Sequence, residues 1–184
     1  PHVIDVPLAC QLPELKNGCE VTSLSMLLGW KGIHVSKMTL AAQVAKDTTP
    51  YSVQEGVIHW GDPMVGFVGD ITGRNMGYSV YHGPVANLAR KYHAATDLTG
   101  QSFDQILQRV ASGKPVWVIT TFSFAHVPDS QWKTIVAPTR TYRMTFSEHI
   151  VITGYDSTSL YINDPYACQK NRRVNLNAFR DGWQ

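Results

Sequence analysis

Glu148-His149-Ile150-Val151-Ile152-Thr153-Gly154-Tyr155-Asp156-Ser157-Thr158-Ser159-Leu160-Tyr161-Ile162-Asn163-Asp164-Pro165 decides the architecture. Residues 149–155 form a β-branched, largely apolar run that reads as a buried strand. Residues 156–159 are turn formers, and 160–164 return as a second strand that Pro165 stops. Folding about this turn brings His149 and Asp164 close to opposite one another, and diagonal register aims both at one face within side-chain reach. A carboxylate so placed holds the imidazole tautomer and stabilises the imidazolium. Asn163 is expected on the other side of the pleat. Taken singly, a strand-end histidine and a turn aspartate are ordinary structural residues. Matched by a hairpin, they read as a base and its orienter.

A nucleophile for that base stands far upstream, in Asn17-Gly18-Cys19-Glu20-Val21-Thr22-Ser23-Leu24-Ser25-Met26-Leu27-Leu28-Gly29. Val21, Leu24, Leu27 and Leu28 recur at helical spacing, so Cys19 falls at a helix N-terminus. Unpaired N–H groups and the helix dipole favour a thiolate there, and a nearby imidazolium would favour it further. A lone free cysteine is more often a small buried hydrophobe; a base downstream shifts the reading to catalysis. Gln11 precedes the cysteine in a loop-like segment. Its amide can donate to a developing oxyanion beside the backbone N–H of Cys19, whereas in isolation it reads as a surface glutamine. His59, His82, His93 and His126 compete for the base role, but no hairpin places a carboxylate beside them.

Gln11, the block Asn17–Leu24, the block Glu148–Asp156 and Asn163-Asp164-Pro165 together resemble the papain-like, bacteriocin-processing (double-glycine leader) cysteine peptidases, in their stand-alone branch. Gly61-Asp62-Pro63, Gly66-Phe67-Val68-Gly69-Asp70 and Tyr81-His82-Gly83-Pro84 resemble the same branch, so the likeness spans nearly the whole chain. It implies Cys19 as nucleophile, His149 as general base and acid, Asp164 as orienter and Gln11 in the oxyanion hole. It also implies a peptide or protein substrate. Gln11 stands eight positions before Cys19, a wider spacing than in the transporter-linked members. The membrane and ATPase domains of those members have no counterpart in this sequence, and double-glycine specificity is not carried over.

Composition fits one globular, enzyme-sized domain over residues 1–184. The chain has 184 residues, 43% of them hydrophobic, and a formal net charge of +2, which gives material for a sizeable core and no footprint for nucleic acid. Lys170, Arg172 and Arg173 read as a solvated basic cluster. No apolar run approaches a membrane span and no signal peptide stands at Pro1. The expectation is an extracellular or cell-surface enzyme whose export signal or anchor lies outside this sequence. No cofactor or metal is expected, since C-x-x-C and H-x-x-x-H spacings are missing. Oligomeric state is not legible. Three cysteines allow one disulfide beside a free Cys19. Cys10 and Cys168 flank residues that must converge, and they are either that bridge or two buried thiols.

Helices are expected at about 20–28, 36–46, 84–93, 103–112 and 175–181, with a capping box at Ser102 and Gln105. Strands are expected at 115–121, 149–155 and 160–164. Helices early and strands late give an α+β fold, with the nucleophile's helix packed on an antiparallel sheet. Segments 47–82 and 122–147 read as irregular groove walls, with Trp60, Phe67, Tyr78 and Tyr81 as lining. The same residues leave two alternatives open: another thiol acyl transfer, such as cell-wall amide hydrolysis, or a silent peptide-binding module.

Overall fold

The computed structural model describes residues 3–183. Its helices are α1 (Cys19–Trp30), α2 (Lys37–Gln43), α3 (His82–Arg90), α4 (Phe103–Ala111) and α5 (Leu176–Asp181). Its strands are β1 (Lys46–Asp47), β2 (Ser52–Gln54), β3 (Val57–His59), β4 (Phe67–Val68), β5 (Val116–Thr121), β6 (Lys133–Val136), β7 (Thr141–Met144), β8 (Ser147–Tyr155), β9 (Ser159–Asp164) and β10 (Gln169–Asn175). All five expected helices and the three expected strands are present, and the fold is the expected α+β. Ser102 and Gln105 cap α4 reciprocally.

The main sheet runs β10-β9-β8-β5 and is antiparallel throughout. One face carries Ile150, Ile152, Val118, Leu160 and Ile162 into a core shared with Phe103 and Ile106 of α4 and Phe179 of α5. The opposite face receives α1, where Met26 packs with Val151 and Val6. A mostly apolar α1, buried along much of its length, is explained by this sandwiching. Val21, Leu24 and Leu28 turn instead to a second core with Leu40, Val85 and Leu88.

The two segments expected to be irregular are so only in part. They pair with each other into a second sheet, ordered β2-β3-β6-β7, in which β3 and β6 run parallel with Ile58 opposite Ile135. Its strands are only three or four residues long, too short for an alternation to register locally. Trp60 is core here, packed with Val68, Ile135 and Tyr142, and Phe67 is also buried; neither lines a groove. The glycines between them mark close approach. A Cβ on Gly69, whose φ is +83°, would fall 2.6 Å from the backbone of Gly77. β10 was missed because its sequence, Gln-Lys-Asn-Arg-Arg-Val-Asn, is polar; it is the exposed edge of the sheet.

Candidate active site

Gly18 has no room for a side chain: a Cβ there would sit 2.6 Å from Leu15 Cβ. That tight turn starts α1 at Cys19 and aims the thiol at β8. Cys19 Sγ lies 3.3 Å from His149 Nδ1. The helix and strand are pinned at this point. Ser23 Oγ, one turn along α1, donates to the His149 carbonyl at 2.7 Å. Trp117 of β5 packs its ring 5.1 Å from the imidazole and donates Nε1–H to the Glu20 carbonyl at 3.1 Å. His149 is fully buried and Cys19 nearly so.

Burial sets the resting protonation. It pushes the Cys19 thiol well above its ordinary value, and the negative charge of Glu20 raises it further. Burial alone pulls His149 down to about 3. Both shifts favour the neutral thiol and the neutral imidazole over the charged pair, and so oppose the thiolate expected from the helix dipole. The desolvation of a buried charge exceeds what one helix N-terminus returns.

Two neighbours of the pair were not singled out from sequence. Glu20 is completely buried. Its Oε1 lies 3.3 Å from Cys19 Sγ and its Oε2 accepts from Val80 N–H at 3.0 Å. Ser79 Oγ stands 3.5 Å from His149 Nε2. The donor atoms of Cys19, Glu20 and His149 all lie within 4.8 Å of one another; hydrogen bonds already link them, as in a proton network. The signal for Glu20 was its place beside Cys19 in the first turn, where a solvent-facing acid is the ordinary reading. Ser79 carried no local signal.

Asp164 does not reach the imidazole. Val151 pairs with Asn163 and Ile152 with Ile162, but the register then shifts so that Gly154 pairs with Tyr161. Thr153 is the extra residue of a β-bulge. A one-residue slip flips every side chain beyond it, so Asn163 shares the face of His149 and Asp164 takes the opposite face with Glu148. Asn163 is engaged elsewhere, donating to the Val6 carbonyl and accepting from Asn171 N–H. Asp164 accepts from Tyr166 N–H, Ala167 N–H and Arg172 Nη1, the last at 2.6 Å. Burial raises the Asp164 carboxyl, but the hydrogen bonds from Glu148, Ala167 and Arg172 outweigh it and hold the group low. Glu148 is pushed up to about 9 by burial first, then by the hydrogen bond and charge of Asp164. Asp164 is thus a structural anchor under the hairpin.

Asp164→Asn should therefore lower stability by about 3 kcal/mol, the low end for breaking a buried ion pair because Arg172 is partly exposed, while kcat changes less than about tenfold. Thermal melts and steady-state kinetics on the same sample check this. A hundredfold loss of kcat at unchanged melting temperature would return Asp164 to the imidazole.

Gln11 is buried. Its Nε2 donates to the Lys16 carbonyl at 2.8 Å, and its backbone N–H donates to Pro165 O. Oε1 has no hydrogen-bond partner among the described residues. The side chain thus braces the loop leading into Cys19. Cys10 and Cys168 are joined by a disulfide, with Cα atoms 4.9 Å apart. Cys19 is the free cysteine. Of the competing histidines, His82 pairs with Asp97 at 2.6 Å and His126 lines a groove. That groove, of about 580 Å³, is walled by Tyr78, Tyr81, Trp132, Arg143, Ile119 and Ser147 among others. Ile119 pairs with His149 across β5 and β8, and Tyr78 precedes Ser79, so the groove lies one residue from the pair, while neither Cys19 nor His149 lines it.

The model of the peptidase C39-like family matches residues 3–184. An uncharacterized protein of Bacillus subtilis, YvpB, is 45% identical over 98% of this chain and 71% of its own length. The crystal structure of a candidate C39-like peptidase from Bacillus anthracis superposes with a TM-score of 0.89 at 39% identity, covering 98% of this chain and 91% of that one. No described helix is long and apolar enough to cross a membrane.

Proposed function

The chain belongs to the peptidase C39-like family, and on that premise we propose that it is a cysteine peptidase that hydrolyses peptide bonds through Cys19 and His149. The observation that carries this reading is the 3.3 Å contact between Cys19 Sγ, at a helix N-terminus, and His149 Nδ1.

His149 takes the thiol proton at Nδ1 as the sulfur attacks the substrate carbonyl. The Cys19 backbone N–H, free because it opens the helix, and the second Nε2 hydrogen of Gln11 serve as oxyanion donors. The imidazolium then protonates the departing amine, and water hydrolyses the thioester by the same route in reverse. Ser79 Oγ accepts from His149 Nε2–H and fixes the tautomer in which Nδ1 is the base. The peptide lies in the groove walled by Tyr78, Tyr81 and Trp132. We place the enzyme with the stand-alone bacteriocin-processing peptidases and outside the cytoplasm; the Cys10–Cys168 disulfide supports an oxidising compartment.

The test is a mixture of peptides and wall fragments incubated with wild type and with Cys19→Ala, read by mass spectrometry. Internal peptide cleavage that requires Cys19 is expected. Cleavage confined to wall-fragment amides would replace the peptidase reading with a wall hydrolase, and unchanged products would leave only a binding module.

A further inference from the structure

Building on the reading of Cys19 as nucleophile, we propose that Glu20 is a further catalytic residue that gates the sulfur by its own protonation. As the neutral acid its O–H donates to Sγ and primes it. As the carboxylate it accepts the S–H hydrogen bond, holds the proton on sulfur away from His149 and turns the site off.

Geometry carries this. Glu20 Oε1 is 3.3 Å from Cys19 Sγ, and the other oxygen is fixed by Val80 N–H at 3.0 Å. An acid in the first turn of a helix gains from the dipole while facing solvent; this one is wholly buried against the nucleophile instead. The donors that reach it are all neutral, its own N–H, Val80 N–H, the thiol and the Ser79 hydroxyl, and against its full burial they leave the neutral acid favoured. The groups facing it are Cys19 on its own helix, His149 on β8, and the Ser79 hydroxyl and Val80 N–H of the loop before α3. Trp117 of β5 meets its backbone carbonyl. Glu148 acts on Cys19 from β8 when ionised, but its carboxyl is held up at about 9. No described cation pairs with Glu20.

Distance decides the sign of the effect. Activation moves the thiol proton to His149 Nδ1 and leaves the charge pair S⁻ and imidazolium. An ionised Glu20 stands closer to the sulfur, at 3.3 Å, than to the imidazole, to which it makes no ion pair. Coulomb energy falls with separation, so its repulsion of S⁻ exceeds its attraction for the imidazolium. It also competes for the S–H that must point at Nδ1. The neutral acid reverses both effects. Its proton stays on oxygen throughout, and the sulfur, having given its own proton to His149, accepts the Glu20 O–H until its charge passes to the substrate oxyanion.

Burial pushes Glu20 up to about 7, so both forms coexist near neutrality. The thiol lies well above that and the imidazole at about 3. A limb near 7 that Glu20→Gln removes therefore reports Glu20.

The test compares wild type, Glu20→Gln and Glu20→Asp in kcat/KM against pH, on a peptide shown to be cleaved. Wild type should fall about tenfold per pH unit above a midpoint near 7. Glu20→Gln, neutral and still a donor, should lose that limb and exceed wild type by about 10-fold to 100-fold at pH 9. Glu20→Asp should keep a limb at a shifted midpoint. A structural role alone predicts loss, never this gain. Iodoacetamide labelling of Cys19 needs no substrate. In wild type it should rise to about pH 7 and level off, because the singly ionised pair keeps its proton on sulfur; in Glu20→Gln it should keep rising. An unaltered limb in Glu20→Gln, or wild-type labelling that climbs through pH 7 without a plateau, overturns the proposal. The wild-type profile decides even if the variants do not fold. Failure of wild type to cleave any peptide would sink the peptidase reading and leave labelling to judge Glu20.

Discussion

His149→Ala is expected to lower kcat/KM by about 10³–10⁴-fold, the upper part of the range for loss of a general base. The size follows from the resting protonation. A thiol with a lowered pKa keeps some thiolate without its base, but the buried Cys19 thiol is pushed well above its ordinary value, so nothing else in the pocket supplies the anion. Because His149 is fully buried beneath Trp117, alanine also leaves a cavity. His149→Gln, closer in volume, separates lost chemistry from lost packing. Added imidazole should restore part of the rate in the alanine variant. Kinetics on a cleaved peptide, with melting temperature measured alongside, check the expectation. A loss of less than about tenfold in both variants would move the base elsewhere, with His126 in the adjoining groove the next residue to replace.

The second large effect concerns stability. The Cys10–Cys168 bridge closes a sequence separation of 158 residues, for which the loss of denatured-chain entropy amounts to about 5 kcal/mol at 25 °C. Cys10→Ser with Cys168→Ser should therefore cost about 3–5 kcal/mol and lower the melting temperature by about 10 °C. Its two ends flank the segment where Gln11 N–H meets Pro165 O. Without the bridge, the approach to Cys19 and the end of the hairpin are joined by that bond and few others. Melting with and without reductant gives the number, and a non-reducing peptide map verifies the pairing. A shift below about 1 kcal/mol would mean that the denatured chain is compact enough to make the tether redundant.

What the sequence disclosed follows the range of the interactions involved. Helix α1, the β8–β9 hairpin and the Ser102 capping box are written in near neighbours, and all three were legible. So was the meeting of Cys19 with His149, because each stands at the end of an element whose type was clear. The second sheet was not legible, since Ile58 and Ile135 must meet before either strand exists. The Asp164 assignment failed on one residue. Gly154 inside a strand pattern is a known mark of a bulge, and counting from the turn without it puts Asp164 on the wrong side of the sheet. Glu20 was hidden for another reason: whether a first-turn acid faces solvent or the nucleophile depends on where residues 79 and 80 pass, which nothing near Cys19 specifies.

The bulge at Thr153 has a consequence for how this strand can change length. The Thr153 carbonyl accepts from Ile4 N–H at 2.7 Å, and its hydroxyl meets the Tyr161 carbonyl and Asn171 Oδ1, so the extra residue is anchored on both sides. Deleting it would leave the pairs Val151–Asn163, Ile152–Ile162 and Gly154–Tyr161 as they stand and close the bulge into a regular ladder. Keeping it but pairing it in the ladder would instead slide Asp164 opposite Val151, onto the imidazole's side. The segment between His149 and the turn thus holds one spare residue, and its loss at this point leaves every residue of the site in place.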